Sequence, residues 1–262
     1  MPKQFTRKSI HPPIHSLHAV LAAFMLCSAA AVPAKTAKPK PTPVAEAAPT
    51  PAPQPAPKGD KVSFTSEDGI ALSGVLYGKG SSVVVLSHQY NHDQDSWQPL
   101  VSRLLAKGYA VLTYNFRGYP PSAGKLEIGL IGRDLDAAAA YARSHGATHL
   151  ALVGASMGGI ATVPAALAAK PDAYVVISSP REFGSLTAPD EALKASKAAK
   201  LFINSKYDKY VADTQHMQDV AAEPKAINVY STGLHGVDLF DGPEGDAVQT
   251  RIVDFIAANL PG

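Results

Sequence analysis

The residues best suited to covalent chemistry lie in "HLALVGASMGGIATVPAALAAK", His149 to Lys170. An apolar run reaches Gly154, Ser156 follows, and Gly158 and Gly159 lead into a small-residue helical pattern. Gly154-Ala155-Ser156-Met157-Gly158 is therefore a G-x-S-x-G pentapeptide placed where a strand becomes a helix. In that context the serine backbone is forced into a strained turn that exposes its hydroxyl. A Cβ two positions to either side would crowd the adjacent strand and helix. The chemistry implied is nucleophilic attack, and a serine hydroxyl needs a neighbouring imidazole to take its proton. The plainer alternative is a tight strand-to-helix turn that needs glycine, with Ser156 as a helix cap.

Two other groupings compete. His88, His92, Asp93 and Asp95 in "SHQYNHDQDSW" hold metal-ligating types, and His-x3-His can chelate. That spacing converges on a helix face, whereas this segment joins a strand to a helix start, and no third histidine follows in a matching place. The expectation is no metal. "MGGIATVPAALAAK" is glycine-bearing but lacks the Gly-Lys-Ser/Thr ending of a phosphate loop.

The elements that must position Ser156 alternate between strands and helices. "KVSFTS" (61–66) and "IALSGVLYG" (70–78), joined by Asp68-Gly69, read as an antiparallel hairpin. "SVVVLSH" (82–88), "YAVLTYN" (109–115), "HLALVG" (149–154), "AYVVIS" (173–178), "KLFINS" (200–205) and "AINVYS" (226–231) read as strands. The continuous apolar runs among them mark strands covered on both faces. Helices are expected near 96–107, 126–145, 158–170, 190–198, 213–222 and 244–259. Repeated β-then-α units imply an α/β fold: a mostly parallel central sheet with helices on both faces. Ligand sites in such sheets lie at the carboxyl ends of the strands, which is where Ser156 falls.

At these residues the chain resembles the α/β-hydrolase family, over essentially all of 60–262: opening hairpin, elbow, and "NFRGYPPSAG" (115–124). The last is similar to the family's Asp-x-Arg-Gly-x-Gly-x-Ser loop, with Asn115 and Pro121 departing from it. The resemblance implies a chain order of serine, acid, histidine. It places the histidine after the last strand, where His235 stands in "YSTGLHGVDLF". It places the acid after the 200–205 strand, where "LFINSKYDKYVADTQ" offers Asp208 and Asp213. Asp208 is preferred, because Asp213 and Thr214 look like the N-cap of the next helix. The oxyanion hole would be the N–H of Met157 and the N–H of Tyr90, with Gln89 standing where the family usually carries glycine. Gly154 and Gly158 complete the nucleophile elbow. No cofactor is implied, and the substrate would be a small molecule with an acyl group. The member type it resembles is a small, capless esterase or dienelactone hydrolase.

Composition divides the chain into three parts. Met1 to Ser16 carries Lys3, Arg7 and Lys8 with no acid, and Ala19 to Val32 is an uncharged apolar run. With small residues closing it, 1–34 reads as a secretory signal peptide. Fourteen helical residues rise about 21 Å, short of the ~30 Å hydrocarbon core, so an uncleaved membrane anchor is the alternative rather than the expectation. Cys27, the only cysteine, lies in this leader after "FML", which does not suit lipidation. A mature chain would then have no disulfide, zinc-thiolate or cysteine nucleophile. Residues 35–58 are a Pro/Ala-rich spacer: nine of the 25 residues from Pro33 to Pro57 are proline.

Residues 1–58 balance to +6 and the remainder to −4, so the overall +2 belongs to leader and linker. No basic face is implied on the domain at 59–262, which argues against nucleic-acid binding. Export to the periplasm or medium is the expected location. The expected function is cleavage of an ester or related acyl bond through Ser156, His235 and Asp208 and an acyl-enzyme. Peptidase or acyltransferase chemistry on the same residues, or a non-catalytic binding domain, are the alternatives. Ser179 to Ala199 is too short for a cap domain, which predicts an open site.

Overall fold

The computed structural model describes residues 57–261. The leader and nearly all of the linker lie outside the described residues. An eight-stranded sheet is built in the order β1-β2-β4-β3-β5-β6-β9-β10. Its members are β1 (Asp60–Thr65), β2 (Ala71–Tyr77), β3 (Ser82–Ser87), β4 (Ala110–Tyr114), β5 (His149–Ala155), β6 (Ala173–Ile177), β9 (Ala199–Ser205) and β10 (Lys225–Tyr230). The first two pair antiparallel to each other, β2 pairs antiparallel to β4, and every other pairing is parallel. The expected fold class is the observed one.

β3, β4, β5, β6 and β9 are buried along almost their whole length, as continuous apolar runs require. Side chains alternate across the sheet: Val83 and Val85 join the core on one face, Val84 and Leu86 that on the other. α2 (Ile131–Ser144), α3 (Met157–Ala169), α4 (Asp190–Ala195) and α5 (Val211–Val220) supply residues to the first core. α1 (Gln98–Ala106) and α6 (Gly245–Asn259) cover the second.

Several element ends differ from expectation for local reasons. Asp93 accepts from Asp95 N and caps a 3-10 turn at Gln94–Trp97, so the α-helix expected from 96 begins at Gln98. The helix expected from 126 begins at Ile131, after a 3-10 turn at Ile128–Leu130. The helix expected at 213–222 is α5, whose N-cap is Tyr210. Asp213 therefore sits in its first turn and does not cap it, correcting the capping expectation. Between β6 and β9 the chain forms the two-residue strands β7 (Glu182–Phe183) and β8 (Leu186–Thr187), a ribbon not anticipated, and then the six-residue α4.

The "NFRGYPPSAG" loop is held by Arg117, which is fully buried. Its guanidinium donates to both carboxylate oxygens of Asp68 at 2.7 and 2.9 Å and to Asp134 at 2.7 Å. This joins the β1–β2 turn, the post-β4 loop and α2. Hydrogen bonds from Arg117 and Ser66 hold the Asp68 carboxyl well below the usual carboxylate range. Asn115, where the family has aspartate, accepts from Gln94 N at 2.8 Å and donates to Pro120 O at 2.7 Å. A carboxylate could not make the second bond.

Candidate active site

Register fixes which loops can meet. Ser87 pairs with Gly154, Ala155 with Ile177, Ile177 with Ile203, and Ser205 with Tyr230. The carboxyl ends of β3, β5, β6, β9 and β10 therefore share one edge, and the segments that follow them begin there.

Ser156 follows β5 with φ 47° and ψ −113°, a conformation that a residue with a Cβ rarely adopts. Its N–H donates to Ile177 O at 2.8 Å and its carbonyl accepts from Gly159 and Ile160 N–H, which pins the turn. A Cβ at Gly158 would press on the backbone of Ser87 and His88. One at Gly154 would lie 2.5 Å from the Gly158 carbonyl carbon. Both elbow glycines are thus required by close approach of backbone. Among the described residues, no partner engages the Ser156 hydroxyl, and no side chain caps the α3 N-terminus.

Asp208 follows β9 and is 6% exposed; His235 follows β10. His235 Nδ1 lies 2.5 Å from Asp208 Oδ2, although 27 residues separate them. The second oxygen, Oδ1, accepts from Tyr210 N at 2.6 Å. Asp208 meets the histidine and Asp213, one turn further into α5, does not. The Tyr210 ring packs against His235 at 5.6 Å between centroids.

The loop after β3 begins at the same edge. Tyr90 is 48% exposed, its ring stands edge-on to Phe183 of β7, and its carbonyl accepts from the Tyr119 hydroxyl. Among the described residues neither Tyr90 N–H nor Met157 N–H is spent on a protein acceptor. Both stay available to a ligand. Gln89, where glycine was expected, is buried and reaches across to Val237 N–H. That role escapes sequence reading, because its partner is 148 residues away.

His88 and His92 do not share a site. His88 is fully buried: Nδ1 lies 2.8 Å from Gln89 O and Nε2 accepts from Phe116 N at 3.1 Å. His92 Nε2 pairs with Asp238 Oδ1 at 2.8 Å. Burial pushes the His88 imidazole from 6.5 down to about 4. Between those values the unfolded chain binds a proton at this position and the folded chain does not. Stability contributed by neutral His88 is complete above pH 6.5 and is lost as pH falls towards 4, by roughly 3 kcal/mol in all. Urea unfolding at pH 7 and pH 4.5 is expected to show this loss in the wild type and a smaller one in His88→Gln. Equal losses in both proteins would assign the acid sensitivity elsewhere.

Comparison with known proteins agrees with this fold. A family model described as serine aminopeptidase, S33 (Hydrolase_4), matches residues 78–232, more than half of the chain. No curated protein matches. Among solved structures, an esterase of Pyrococcus furiosus superposes with a TM-score of 0.68 at 19% identity, covering 78% of this chain and 94% of that one. An esterase of a Rhodococcus species gives 0.64 at 14%, with 76% and 99% covered. A serine hydrolase of Xanthomonas campestris, described as without lid, gives 0.61 at 17%, with 80% and 99% covered. With the elbow, the sheet order and this match in hand, the chain belongs to the S33 serine aminopeptidase-like family of α/β hydrolases.

Proposed function

We propose that the protein is a serine esterase acting on short acyl groups through Ser156, His235 and Asp208. The observation that carries this reading is the 2.5 Å pairing of His235 Nδ1 with Asp208 Oδ2 on the edge that holds the strained Ser156. With Nδ1–H donated to Asp208, His235 presents Nε2 as the free base. Ser156 Oγ attacks the acyl carbon while Nε2 takes its proton. The carbonyl oxygen, now negative, accepts from the N–H groups of Met157 and Tyr90. Return of that proton to the ester oxygen releases the alcohol and leaves an acyl-serine. Water, deprotonated by the same Nε2, then attacks the acyl carbon and restores Ser156. Asp208 keeps its bond to Nδ1–H throughout and so orients and stabilises the imidazolium. If residues 1–34 are a signal peptide as read, this hydrolysis takes place outside the cytoplasm. Among the described residues no helix is long and apolar enough to cross a membrane.

The interval between β6 and β9 supports an open site, since it holds only the β7–β8 ribbon and α4. A site without a cap domain encloses less of a long acyl chain, and each methylene left unburied forgoes about 0.8 kcal/mol. Acetyl and butyryl p-nitrophenyl esters are expected to be cleaved faster than palmitoyl esters, without activation at a lipid–water interface. A preference for chains of twelve carbons or more would overturn the open-site reading. The match to an aminopeptidase-described family favours one second reading, a peptidase on the same residues. Alanine p-nitroanilide in the same panel separates the two. Labelling by a fluorophosphonate probe tests both, and a folded, unlabelled wild type would overturn both.

A further inference from the structure

We infer that Gln89 is a positioning residue that locks the segment carrying His235 onto the segment carrying Tyr90. Proton acceptor and oxyanion donor are then held as one unit. The inference rests on the esterase reading for the roles of His235 and Tyr90, and on the geometry of Gln89 for the lock.

Every polar group of Gln89 except its own N–H is committed. Its carbonyl accepts from His92 N at 3.2 Å and lies 2.8 Å from His88 Nδ1, which fixes the loop after β3 in a tight turn. Oε1 accepts from Val237 N at 2.9 Å, and Nε2 donates to Asn91 Oδ1 at 3.3 Å. Gln89 and Val237 are both buried, so the bond between them is made away from water. Val237 is two residues beyond His235, and Tyr90 is the next residue after Gln89. One hydrogen bond thus couples the two functional segments almost directly.

The receiving side is shaped for this contact. Gly236 has φ +60°, in the left-handed region, which turns the Val237 N–H back towards Gln89. A Cβ at Gly236 would collide with Gln89 Oε1 and come within 2.8 Å of Gln89 Cδ. His92 and Asp238 add a second tie between the same two segments. A glycine at position 89, the expected family residue, would leave the buried Val237 N–H without its acceptor.

The consequence is kinetic rather than a matter of substrate affinity. Small misplacements of a reacting group can cost about a hundredfold in rate. In the full-length protein, Gln89→Leu is expected to lower kcat on p-nitrophenyl acetate by about ten- to a hundredfold, with KM within about twofold. Gln89→Glu keeps an oxygen facing Val237 N–H but cannot donate to Asn91, whose exposed amide can turn its NH2 inward, and is expected to regain part of the lost kcat. Val237 N–H is expected to exchange slowly with deuterium in the wild type and faster in Gln89→Leu. A folded Gln89→Leu with wild-type kcat, or a loss shared equally by Gln89→Glu, overturns the inference. If Gln89→Leu does not fold, rapid exchange at Val237 in the wild type overturns it and slow exchange with an active Gln89→Glu supports it. A wild type that no fluorophosphonate labels overturns the esterase reading and, with it, the kinetic consequence of the Gln89 lock. A labelled wild type beside an unimpaired Gln89→Leu defeats the lock alone.

Discussion

Ser156→Ala is expected to lower kcat by about six orders of magnitude and to abolish fluorophosphonate labelling, as loss of a serine nucleophile does elsewhere. Its thermal midpoint is expected to stay within a few degrees of wild type. The two halves of this expectation have separate causes. The strain at Ser156 belongs to the backbone, at φ 47° and ψ −113°, and alanine carries the same Cβ and inherits it. The hydroxyl has no hydrogen-bond partner among the described residues, so its removal orphans nothing. The loss is then chemical and not structural. Ser156→Gly makes the control: it relieves a strain of about 1–3 kcal/mol, less the roughly 1 kcal/mol of added chain entropy, and should be equally inactive yet no less stable. Steady-state rates and differential scanning calorimetry on the three proteins check both halves. Substantial turnover by folded Ser156→Ala would place the nucleophile elsewhere.

What was legible in the sequence followed from local signals. β3, β4 and β6 stand out because burial on both faces demands unbroken apolar runs, and the elbow because two glycines bracket a serine at a strand end. Strand order was not legible, since nothing in 109–115 says that β4 inserts between β2 and β3. The β7–β8 ribbon escaped because two-residue strands carry no alternation to read. Asp213 looked like a cap because it precedes a helical pattern, but the helix had already begun at Val211. Gln89 looked like a departure from a glycine pattern, and only the Val237 N–H, far along the chain, gives it a purpose. His88 looked like a possible ligand, and its ring nitrogens turn out to be engaged by Gln89 and Phe116. The rule behind these cases is one of range. Pattern within a segment reports which faces are buried, while a side chain's partner across the sheet leaves no mark near it.

Asp208→Asn is expected to lower kcat by about four orders of magnitude with little loss of fold, the cost of presenting the wrong imidazole tautomer. Asp208 uses its two oxygens differently: Oδ1 accepts from Tyr210 N–H at the start of α5, and Oδ2 faces His235 Nδ1. Asparagine has one acceptor oxygen, and the backbone N–H of Tyr210 needs it. The amide NH2 is then turned to His235, where it donates to Nδ1 and drives the ring proton to Nε2. That nitrogen can no longer take the Ser156 proton. The backbone turn survives, because Asp208 N–H still donates to Ser205 O and its carbonyl still accepts from Val211 N–H. Asp213→Asn should cost no more than about 1 kcal/mol of stability, the usual effect of removing an acid from the first turn of a helix, and should leave kcat near wild type. The pair of variants discriminates sharply, because both remove one carboxylate charge within five residues of each other. The ring-nitrogen resonances of His235 would show the tautomer change in Asp208→Asn and none in Asp213→Asn. If the two variants exchanged phenotypes, the acid would be Asp213 and the 2.5 Å pair would be structural.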